Sequence, residues 1–498
     1  MGIKGLLSVP LAKATVKNIT KWAKHPKQTQ QKAFEDLIAG GKQTAFGKDH
    51  NFQSIKTYED FKANVPIRGY EELKHYIERI KNGEANVVWP GKPIYLAKTS
   101  GTTSGTKYIP ITKDSMPNHI DSAKNALLCY IAESGNSQFV DGKMIFLQGS
   151  PELKKENGIY IGRLSGIVAH HVPNYLQKNR MPSWETNCID DWETKVNTIA
   201  KETASEDMRL ISGIPSWVQM YFEVLLKQTG KNNIKEIFPN FSLFVYGGVN
   251  YQPYKALFKK LIGTSIDTVE TYPASEGFIA FQNAQKVDDL LMVLNKGIFY
   301  EFIPLEEVHN ENPNRLAAWE VEEGKSYALV INNNAGLWGY SIGDVVKVTS
   351  TNPLKIKVAG RIKHFISAFG EHVIGEEVES AMTEAQELFG CRVKEFHVAP
   401  QVNPENGLPY HEWFVEFEEK PANLDAFSIK LDQLMQVRNI YYKDLLDGNI
   451  LRPVVVRCIQ KNGFTEFMKS RGKLGGQNKI PRLANDRSFA DLLEEFKV

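Results

Sequence analysis

The stretch KTSGTTSGTKYIPIT, residues 98–112, is the part of the chain that decides the fold. Glycines and small hydroxyl residues lie between two strand-like segments, PIYLA before them and KYIPIT after them. A loop of this composition can turn several backbone N–H groups and hydroxyls toward one polyanion, and Lys107 adds a positive charge. The stretch therefore predicts a strand, a loop that holds phosphate groups, and a second strand.

The spacing of the glycines excludes the Walker A loop of common nucleotide-hydrolysing enzymes. That loop has four residues between its glycines, continues with Gly-Lys-Ser/Thr and opens a helix. Here three residues separate Gly101 from Gly105, Thr106 precedes the lysine, and a strand follows. A flexible hairpin tip rich in serine, threonine and glycine is the alternative to a phosphate loop.

Composition excludes disordered and fibrous classes of protein. The 498 residues are 42% hydrophobic and 24% charged, which is typical of a globular chain of at least two domains. A formal net charge of +2 gives little support for nucleic-acid binding and favours small-molecule chemistry. The cysteines have no metal-ligand spacing, so we expect reduced thiols in a cytoplasmic protein: Cys129, Cys188, Cys391 and Cys458.

The sequence also gives no sign of export or membrane insertion. The N-terminal residues include a short apolar patch but no convincing signal peptide. No stretch approaches the roughly 20 apolar residues that cross a bilayer. We therefore expect neither a membrane nor a nucleic acid as a partner.

Strands alternate with helices through the first half of the chain, which indicates an α/β architecture. Residues 114–135 predict a helix capped by Asp114, with Pro117 in its first turn. Hairpin-like strands from residue 290 predict an antiparallel segment, and another α+β unit begins near Gly360. We predict a large domain over residues 1–360 and a small domain over residues 361–498.

Two clusters downstream of the loop have residues suited to a nucleotide. In VYGGVN, residues 245–250, a planar group can approach bare backbone at the paired glycines, although a plain strand-to-helix turn is equally compatible. In ETYPASEG, residues 270–277, Tyr272 can stack on a purine while Glu276 helps to hold magnesium against phosphate. As an isolated string the second cluster is more often a polar turn.

Two later clusters complete the set. In YSIGDVVKV, residues 340–348, Asp344 can accept hydrogen bonds from both ribose hydroxyls, and a hairpin-turn aspartate is the alternative. In GGQNKIPRL, residues 475–483, Lys479 lies on a glycine-flanked loop. A lone lysine is usually a solvated surface residue, so its significance depends on the other clusters.

In this order the clusters resemble the adenylate-forming superfamily of acyl-CoA synthetases, luciferases and peptide-synthetase adenylation domains. Residues 46–94, from FGKDH to PGKPI, are similar to the corresponding segment of the Gretchen Hagen acyl acid amido synthetases. Plant members of that family conjugate auxin and jasmonate to amino acids. The resemblance implies a ligase that uses ATP and magnesium to convert a small carboxylic acid into an acyl-adenylate, and then joins it to an amino acid or another amine.

The resemblance also implies a fold and a set of site residues. The large domain would contain β-sheets flanked by helices plus a β-barrel-like segment, and the small α+β domain would be mobile and carry the catalytic lysine. Catalytic roles would belong to Lys479 and Lys107, and the metal to Glu276. Nucleotide binding would involve Ser100, Gly101, Thr102, Thr103, Gly247, Gly248, Val249, Tyr272, Ser275, Asp344 and Arg361.

The acyl-acid pocket is expected, by analogy, beside the helix that follows the loop and the segments near residues 212–217 and 245–249. Its residues would be His119, Ala123, Trp217 and Tyr221. Aromatic residues at such spacing are more often part of a core. His170 and His171 form a pair without a third ligand at metal spacing, which favours a structural or substrate-contact role.

Two departures from the plant pattern limit what the resemblance implies. Plant members usually have Tyr-Arg before the Gly-Asp element, whereas Ser341 follows Tyr340 here. They also have Asp-Lys-Thr after the hinge, where this chain has Glu-His-Val at residues 371–373. Both departures are compatible with adenylation, but they weaken any assignment of the plant enzymes' substrates to this chain. Two alternatives stay open, namely acyl transfer to a thiol such as coenzyme A and a nucleotide-binding protein without catalysis.

Overall fold

The chain forms two compact units. Among the described residues, the first unit contains residues 1–342 and 347–357, and the second contains residues 343–346, 358–471 and 480–498. The computed structural model describes the chain apart from residues 1, 101–105, 173–176, 249–250, 252–253, 309, 363–364, 367, 370, 372, 403, 448–449, 472–479 and 485.

Helices of the first unit begin and end at recognisable signals. Thr57 and Asp60 form a capping box at one start, and Gly230, with a positive φ, ends another helix. The helices are Ile3–Ala23, Pro26–Gly41, Ala45–Asp49, Tyr58–Asn64, Tyr70–Lys81, Met116–Ser134, Leu164–Ala169, Trp184–Asn187, Trp192–Thr203, Pro215–Thr229, Ile234–Ile237 and Lys255–Ile262.

The predicted helix after the loop is present, but its predicted cap is wrong. The helix Met116–Ser134 has Ser115 at its N-cap, and Pro117 lies in the first turn as expected. The Asp114 carboxylate instead accepts a hydrogen bond from the Trp89 indole N–H at 2.9 Å. A long-range partner therefore replaces the local capping bond.

In the described part of the chain, sixteen strands, most of them in the first unit, form a sheet of twelve and a sheet of four. They are β1 (Tyr95–Ser100), β2 (Thr106–Ile111), β3 (Lys143–Phe146), β4 (Lys154–Glu156), β5 (Ile159–Gly162), β6 (Arg180–Met181), β7 (Met208–Ser212), β8 (Leu243–Gly247), β9 (Asp267–Ala274), β10 (Gly277–Phe281), β11 (Leu290–Met292), β12 (Ile298–Pro304), β13 (Leu316–Ala317), β14 (Ser326–Asn333), β15 (Tyr340–Thr351) and β16 (Leu354–Arg361).

The larger sheet has 12 strands in the order β13-β12-β14-β15-β16-β11-β10-β9-β8-β7-β3-β6. Strands β6, β3, β7, β8 and β9 are parallel, and β9 to β10 begins the antiparallel part. The alternating α/β pattern and the change to antiparallel strands are thus confirmed. The expected barrel-like segment is part of this continuous sheet. The smaller sheet has the order β2-β1-β5-β4.

Both faces of the parallel strands are buried, which explains their continuous apolar runs. Met144, Leu210 and Val245 pack on one face with residues of the helix Met116–Ser134. Ile145 and Phe244 pack on the opposite face with the helices Trp192–Thr203 and Pro215–Thr229. The parallel strands therefore lie between two helical layers.

The helix Ile3–Ala23 was not among the predicted elements. Pro10 lies inside it, and its β-branched residues are weak helix formers. Ala12, Ile19 and Ala23 are buried in the cluster that includes the helix Met116–Ser134. Tertiary packing therefore stabilises a helix that the local sequence only weakly favours.

The second unit is an α+β structure with its own core. Strands β19 (Arg392–Gln401) and β20 (Tyr410–Glu419) are antiparallel, and β21 (Val455–Ile459) lies parallel to β20. A short hairpin joins β17 (Phe365–Ile366) to β18 (Val373–Ile374). The helices are Gly375–Phe389, Leu424–Arg438, Ile440–Asp447 and Gly463–Ser470.

A segment close to the C-terminus adds to the edge of this sheet. Val398 on β19 donates its N–H to the Arg482 carbonyl at 2.9 Å and accepts from the Ala484 N–H at 2.9 Å. A side-chain hydrogen bond joins His397 to the Pro481 carbonyl. Residues 480–484 are therefore held along β19.

Among the described residues, every helix is too short or too polar to span a bilayer.

Candidate nucleotide site

The two strands predicted around residues 98–112 are present and pair with each other in antiparallel orientation. Tyr95 lies opposite Ile111, and Ser100 lies opposite Thr106. Lys107 on β2 lies opposite Thr99 on β1, and its ammonium nitrogen is 5.7 Å from the centroid of the Tyr70 ring. The predicted phosphate loop itself, residues 101–105, lies outside the described residues.

Two of the predicted clusters come together at the ends of neighbouring strands. Strands β8 and β9 are parallel, and Gly247 is the register partner of Thr271. Gly248 and Tyr272 therefore follow at the same edge of the sheet. Carboxyl ends of parallel strands are where α/β proteins commonly bind ligands. A hydrogen bond links the two clusters: the Thr271 hydroxyl donates to the carbonyl of Tyr246, 25 residues earlier in the sequence, at 3.0 Å.

Glycine at position 247 is required by packing. A Cβ there would lie 2.4 Å from the Thr271 carbonyl oxygen and 2.9 Å from its hydroxyl oxygen. Gly248 has φ of +78°, a conformation that other residues rarely adopt. Both glycines are thus explained by the close approach of β9 and by the turn after β8, which is compatible with an adenine contact but does not require one.

The turn from β9 to β10 carries Ser275 and Glu276, and two buried asparagines fix it. The Asn118 side chain accepts from the Phe278 N–H at 2.6 Å and donates to the Phe278 carbonyl at 3.2 Å. The Asn333 side chain donates to the Glu276 carbonyl at 2.7 Å. These two residues were not predicted from the sequence, and the Asn-Asn-Asn run at residues 332–334 was the available signal for Asn333 alone.

The side chains around this turn differ in exposure. Tyr272 and Ser275 are buried, at 7% and 9% relative exposure, whereas Glu276 is partly exposed. A partly exposed carboxylate on a fixed turn can meet a solvated ligand without large desolvation. A buried tyrosine ring offers an edge or face to a neighbouring planar group.

A second carboxylate near the strand ends has an unusual pKa. Burial raises the pKa of Glu270 to about 7, and a hydrogen bond from the Tyr246 hydroxyl at 3.2 Å offsets part of this shift. Tyr246 and Glu270 are register partners on β8 and β9. The folded protein therefore holds the Glu270 proton more tightly than an unfolded chain does.

Replacing Glu270 by glutamine is expected to stabilise the protein at pH 8 but not at pH 4.5. The wild-type protein gains stability from the raised pKa only at low pH and loses it as the pH rises from about 4.5 to about 7. Over that range the variant should gain about 1–3 kcal/mol relative to wild type. Thermal melting at several pH values measures the difference, with exposed Glu323→Gln as the control. A difference in melting temperature that is constant with pH would contradict the assignment.

The structure describes the other predicted nucleotide-site residues only in part. Outside the described residues lie Gly101, Thr102, Thr103, Val249 and Lys479. Ser100 and Arg361 are described only as backbone, at the ends of β1 and β16. Asp344 is half-buried on β15 and follows Gly343, whose φ is +78°. Their binding roles stay predictions.

The four residues predicted for the acyl pocket do not form one cluster. His119 and Ala123 lie on the helix that packs on one face of the parallel strands, and Trp217 and Tyr221 lie on the helix that packs on the other face. The Tyr221 hydroxyl lies 2.7 Å from the Thr203 hydroxyl within the core. Burial lowers the pKa of His119 to about 4, so its imidazole is neutral at pH 7. Their acyl contacts stay predictions.

The histidine pair has structural partners. His170 bonds the Pro151 carbonyl at 2.9 Å, and His171 bonds the Tyr95 hydroxyl at 2.9 Å. The described residues contain no group of three or more His, Cys, Asp or Glu side chains that could hold a metal. A role in structure is therefore sufficient for both histidines.

Comparison with known proteins gives three consecutive family matches. The GH3 family N-terminal domain matches residues 15–190, the central domain matches residues 291–361, and the C-terminal domain matches residues 376–488. Indole-3-acetic acid-amido synthetase GH3.3 of Arabidopsis thaliana is 22% identical, over 93% of this chain and 90% of that protein. Jasmonoyl-L-amino acid synthetase GH3.5 of Oryza sativa subsp. japonica is 22% identical, over 86% and 87%.

Solved structures show the same fold. AtGH3.15 acyl acid amido synthetase in complex with 2,4-DB matches with a TM-score of 0.80 at 18% identity, covering 98% of this chain and 96% of that one. A 2-hydroxyisobutyryl-CoA ligase in the postadenylation state matches with a TM-score of 0.62 at 13% identity, covering 95% and 92%. The expected adenylate-forming fold is confirmed. Since the three family models follow one another along most of the sequence, the chain belongs to the GH3, or Gretchen Hagen, family.

Proposed function

We propose that the protein is a ligase that uses ATP to activate a carboxylic acid as an acyl-adenylate and then transfers the acyl group to the amine of an amino acid. The observation that carries the proposal is the ordered match of all three GH3 domains. Relatives aligned over most of their length are amido synthetases, which supports an amine as the acceptor.

The reaction meets a physical need, because a carboxylate is a poor electrophile. In the first step a carboxylate oxygen attacks the α-phosphorus of ATP, the bond from that phosphorus to the bridging oxygen breaks, and pyrophosphate leaves. In the second step the amine nitrogen attacks the acyl carbon, the bond to AMP breaks, and the nitrogen loses its proton to solvent. Negative charge therefore builds on phosphoryl oxygens in the first step.

Positive groups near those oxygens would lower the barrier of that step. We assign this role to Lys107 on β2 and to Lys479, and the binding of both substrates in line supplies positioning. The loop between β1 and β2 would hold the phosphates, and the ends of β8 and β9 would receive the base. Asp344 would bind the ribose hydroxyls.

Magnesium fits the residues on the turn between β9 and β10. This ion commonly uses one or two protein carboxylates together with substrate phosphates and waters. Glu276 provides one partly exposed carboxylate on a turn held by Asn118 and Asn333. When bound, magnesium would neutralise charge on the ATP phosphates.

Replacing Asn333 by alanine is expected to weaken binding of magnesium–ATP. The change removes the bond to the Glu276 carbonyl, and it also removes the acceptor of the Ala335 and Leu337 N–H groups, each at 3.0 Å. We expect the KM for ATP to rise several-fold and stability to fall by about 1–3 kcal/mol. The control is Asn314→Ala, which breaks an exposed hydrogen bond to Glu307 at 2.9 Å. An unchanged KM for ATP would remove the positioning role of Asn333.

One experiment tests the proposed reaction. The purified protein is incubated with ATP, magnesium and pooled carboxylic acids, together with either amino acids or coenzyme A, and products are identified by mass spectrometry. Amide products support the proposal. Thioester products would instead assign a thiol as the acceptor, and absence of AMP with every acid would reject adenylation.

A further inference from the structure

The helix Ile3–Ala23 exposes an apolar face. Leu6 and Leu7 are each 67% exposed and Leu11 is 54% exposed, although these side chains are large and apolar. The opposite side of the helix is buried through Ala12 and Ile19. The three leucines therefore project together from the first turns of a surface helix, where they gain nothing from the core.

Positive charge is concentrated next to these leucines. Lysines 13, 17, 21 and 24 are exposed along the helix and at its end. The first 34 residues contain seven lysines and no acidic residue before Glu35. The whole chain has a formal net charge of only +2, so the positive excess lies in this region.

The helix is held in place by the rest of the first unit. The Asp141 carboxylate accepts the Gly2 N–H at 2.6 Å and the Gly5 N–H at 3.2 Å. These bonds satisfy donors at the start of the helix, where a carboxylate is favoured. Binding through this face would therefore not require a coil to become a helix.

We propose that this helix binds an anionic lipid surface, with the leucines inserted at the interface and the lysines against headgroup phosphates. A surface helix with leucines beside lysines matches the layered chemistry of such an interface. The leucines are 54–67% exposed and protrude from the helix, which favours insertion into a lipid layer over contact with a folded protein. A nucleic acid would pair with the lysines but would leave the leucines in water.

This inference departs from the expectation that the protein has no membrane partner. That expectation rested on the lack of a spanning segment, and a helix lying in the interface needs none. The proposed contact is also independent of the proposed ligase reaction. Amide formation from dissolved substrates should therefore not change when the helix face is altered.

Vesicle sedimentation with the full chain tests the proposal. The wild-type protein should sediment with vesicles of phosphatidylcholine and phosphatidylglycerol in equal parts, and much less with phosphatidylcholine alone. Raising the salt concentration should release it, because surface charge is screened. The double variants Leu6→Ser/Leu7→Ser and Lys17→Glu/Lys21→Glu should each weaken partitioning by about tenfold or more. One lysine near such a surface contributes about fivefold, and an inserted leucine contributes a similar factor or more through its buried apolar area.

Matched controls distinguish binding through this helix face from nonspecific adsorption through other exposed apolar side chains. Leu388→Ser and Val437→Ser remove side chains that are 57% and 83% exposed in the second unit, and they should leave partitioning unchanged. All variants should melt within about a degree of wild type, because the altered side chains are exposed. Equal binding by wild type and both double variants would overturn the proposal. So would a dimer in solution that Leu6→Ser/Leu7→Ser dissociates, or retention on RNA without binding to anionic vesicles.

Discussion

Replacing Lys479 by alanine is expected to slow acyl-adenylate formation by about 10²- to 10³-fold, while the affinity for ATP changes only a few-fold. The lysine is proposed to stabilise charge that builds on the phosphoryl oxygens during attack, and this charge is greater in the transition state than in bound ATP. Loss of such a contact lowers the rate of the step more than it weakens ground-state binding.

The described residues that follow Lys479 in sequence are anchored within the second unit. Arg482 forms ion pairs with Glu395 at 2.9 Å and with Glu379 at 3.4 Å, and Leu483 pairs with Val398 beside β19. The anchored segment begins one residue after the lysine.

Pyrophosphate exchange and calorimetric ATP binding measure the two effects separately. Exposed Lys461→Ala, in the same unit, is the control for loss of a lysine charge. Lys479→Arg keeps the charge with a different shape, so it should recover only part of the rate. Near-normal pyrophosphate exchange in Lys479→Ala would remove the catalytic role.

The second large effect is expected on stability. Glu301→Ala should lower stability by about 3–5 kcal/mol, because it leaves the buried Arg315 guanidinium without its carboxylate. Glu301 is fully buried and accepts from Arg315 Nε at 3.0 Å and Nη2 at 2.9 Å. It also accepts from the Tyr58 hydroxyl and the Asn332 amide, each at 2.9 Å.

Thermal and denaturant unfolding measure this loss. The control is Lys32→Ala, which breaks an exposed pair with Asp36 at 3.1 Å and should cost at most about 1 kcal/mol. Because Tyr58 belongs to a helix and Asn332 to β14, the loss should loosen the contact between the N-terminal helices and the sheet. Equal melting shifts for Glu301→Ala and Lys32→Ala would contradict this account.

Elements with strong local patterns were predictable from the sequence. The two strands β1 and β2 followed from the composition of residues 98–112, and the alternation of strands and helices followed from the sequence pattern of the first half of the chain. The Asp114 cap failed because Trp89, distant in sequence, supplies the hydrogen bond. The helix Ile3–Ala23 was missed because packing, not propensity, stabilises it.

The candidate site was predictable in part. Gly247 and Tyr272 were singled out from short motifs, and the parallel register of β8 and β9 brings their strands side by side. Asn118 and Asn333 were missed because their bonds to the Glu276 turn cross large sequence separations, and the asparagine run at residues 332–334 does not show which distant groups it binds. His119 and Trp217 were grouped by analogy, whereas the sheet separates their helices.

The hydrogen bonds that Asn118 and Asn333 form at the Glu276 turn have a consequence for how the protein folds. Asn118 reaches across 160 residues to Phe278, and Asn333 reaches across 57 residues to Glu276. Contacts between such distant parts of a chain form late, because the entropy of closing the intervening loops must be overcome first. The turn is therefore fixed only after the helix that carries Asn118 and the strand that carries Asn333 have packed around it. Nucleotide would then stabilise the finished first unit and not its partly folded precursors.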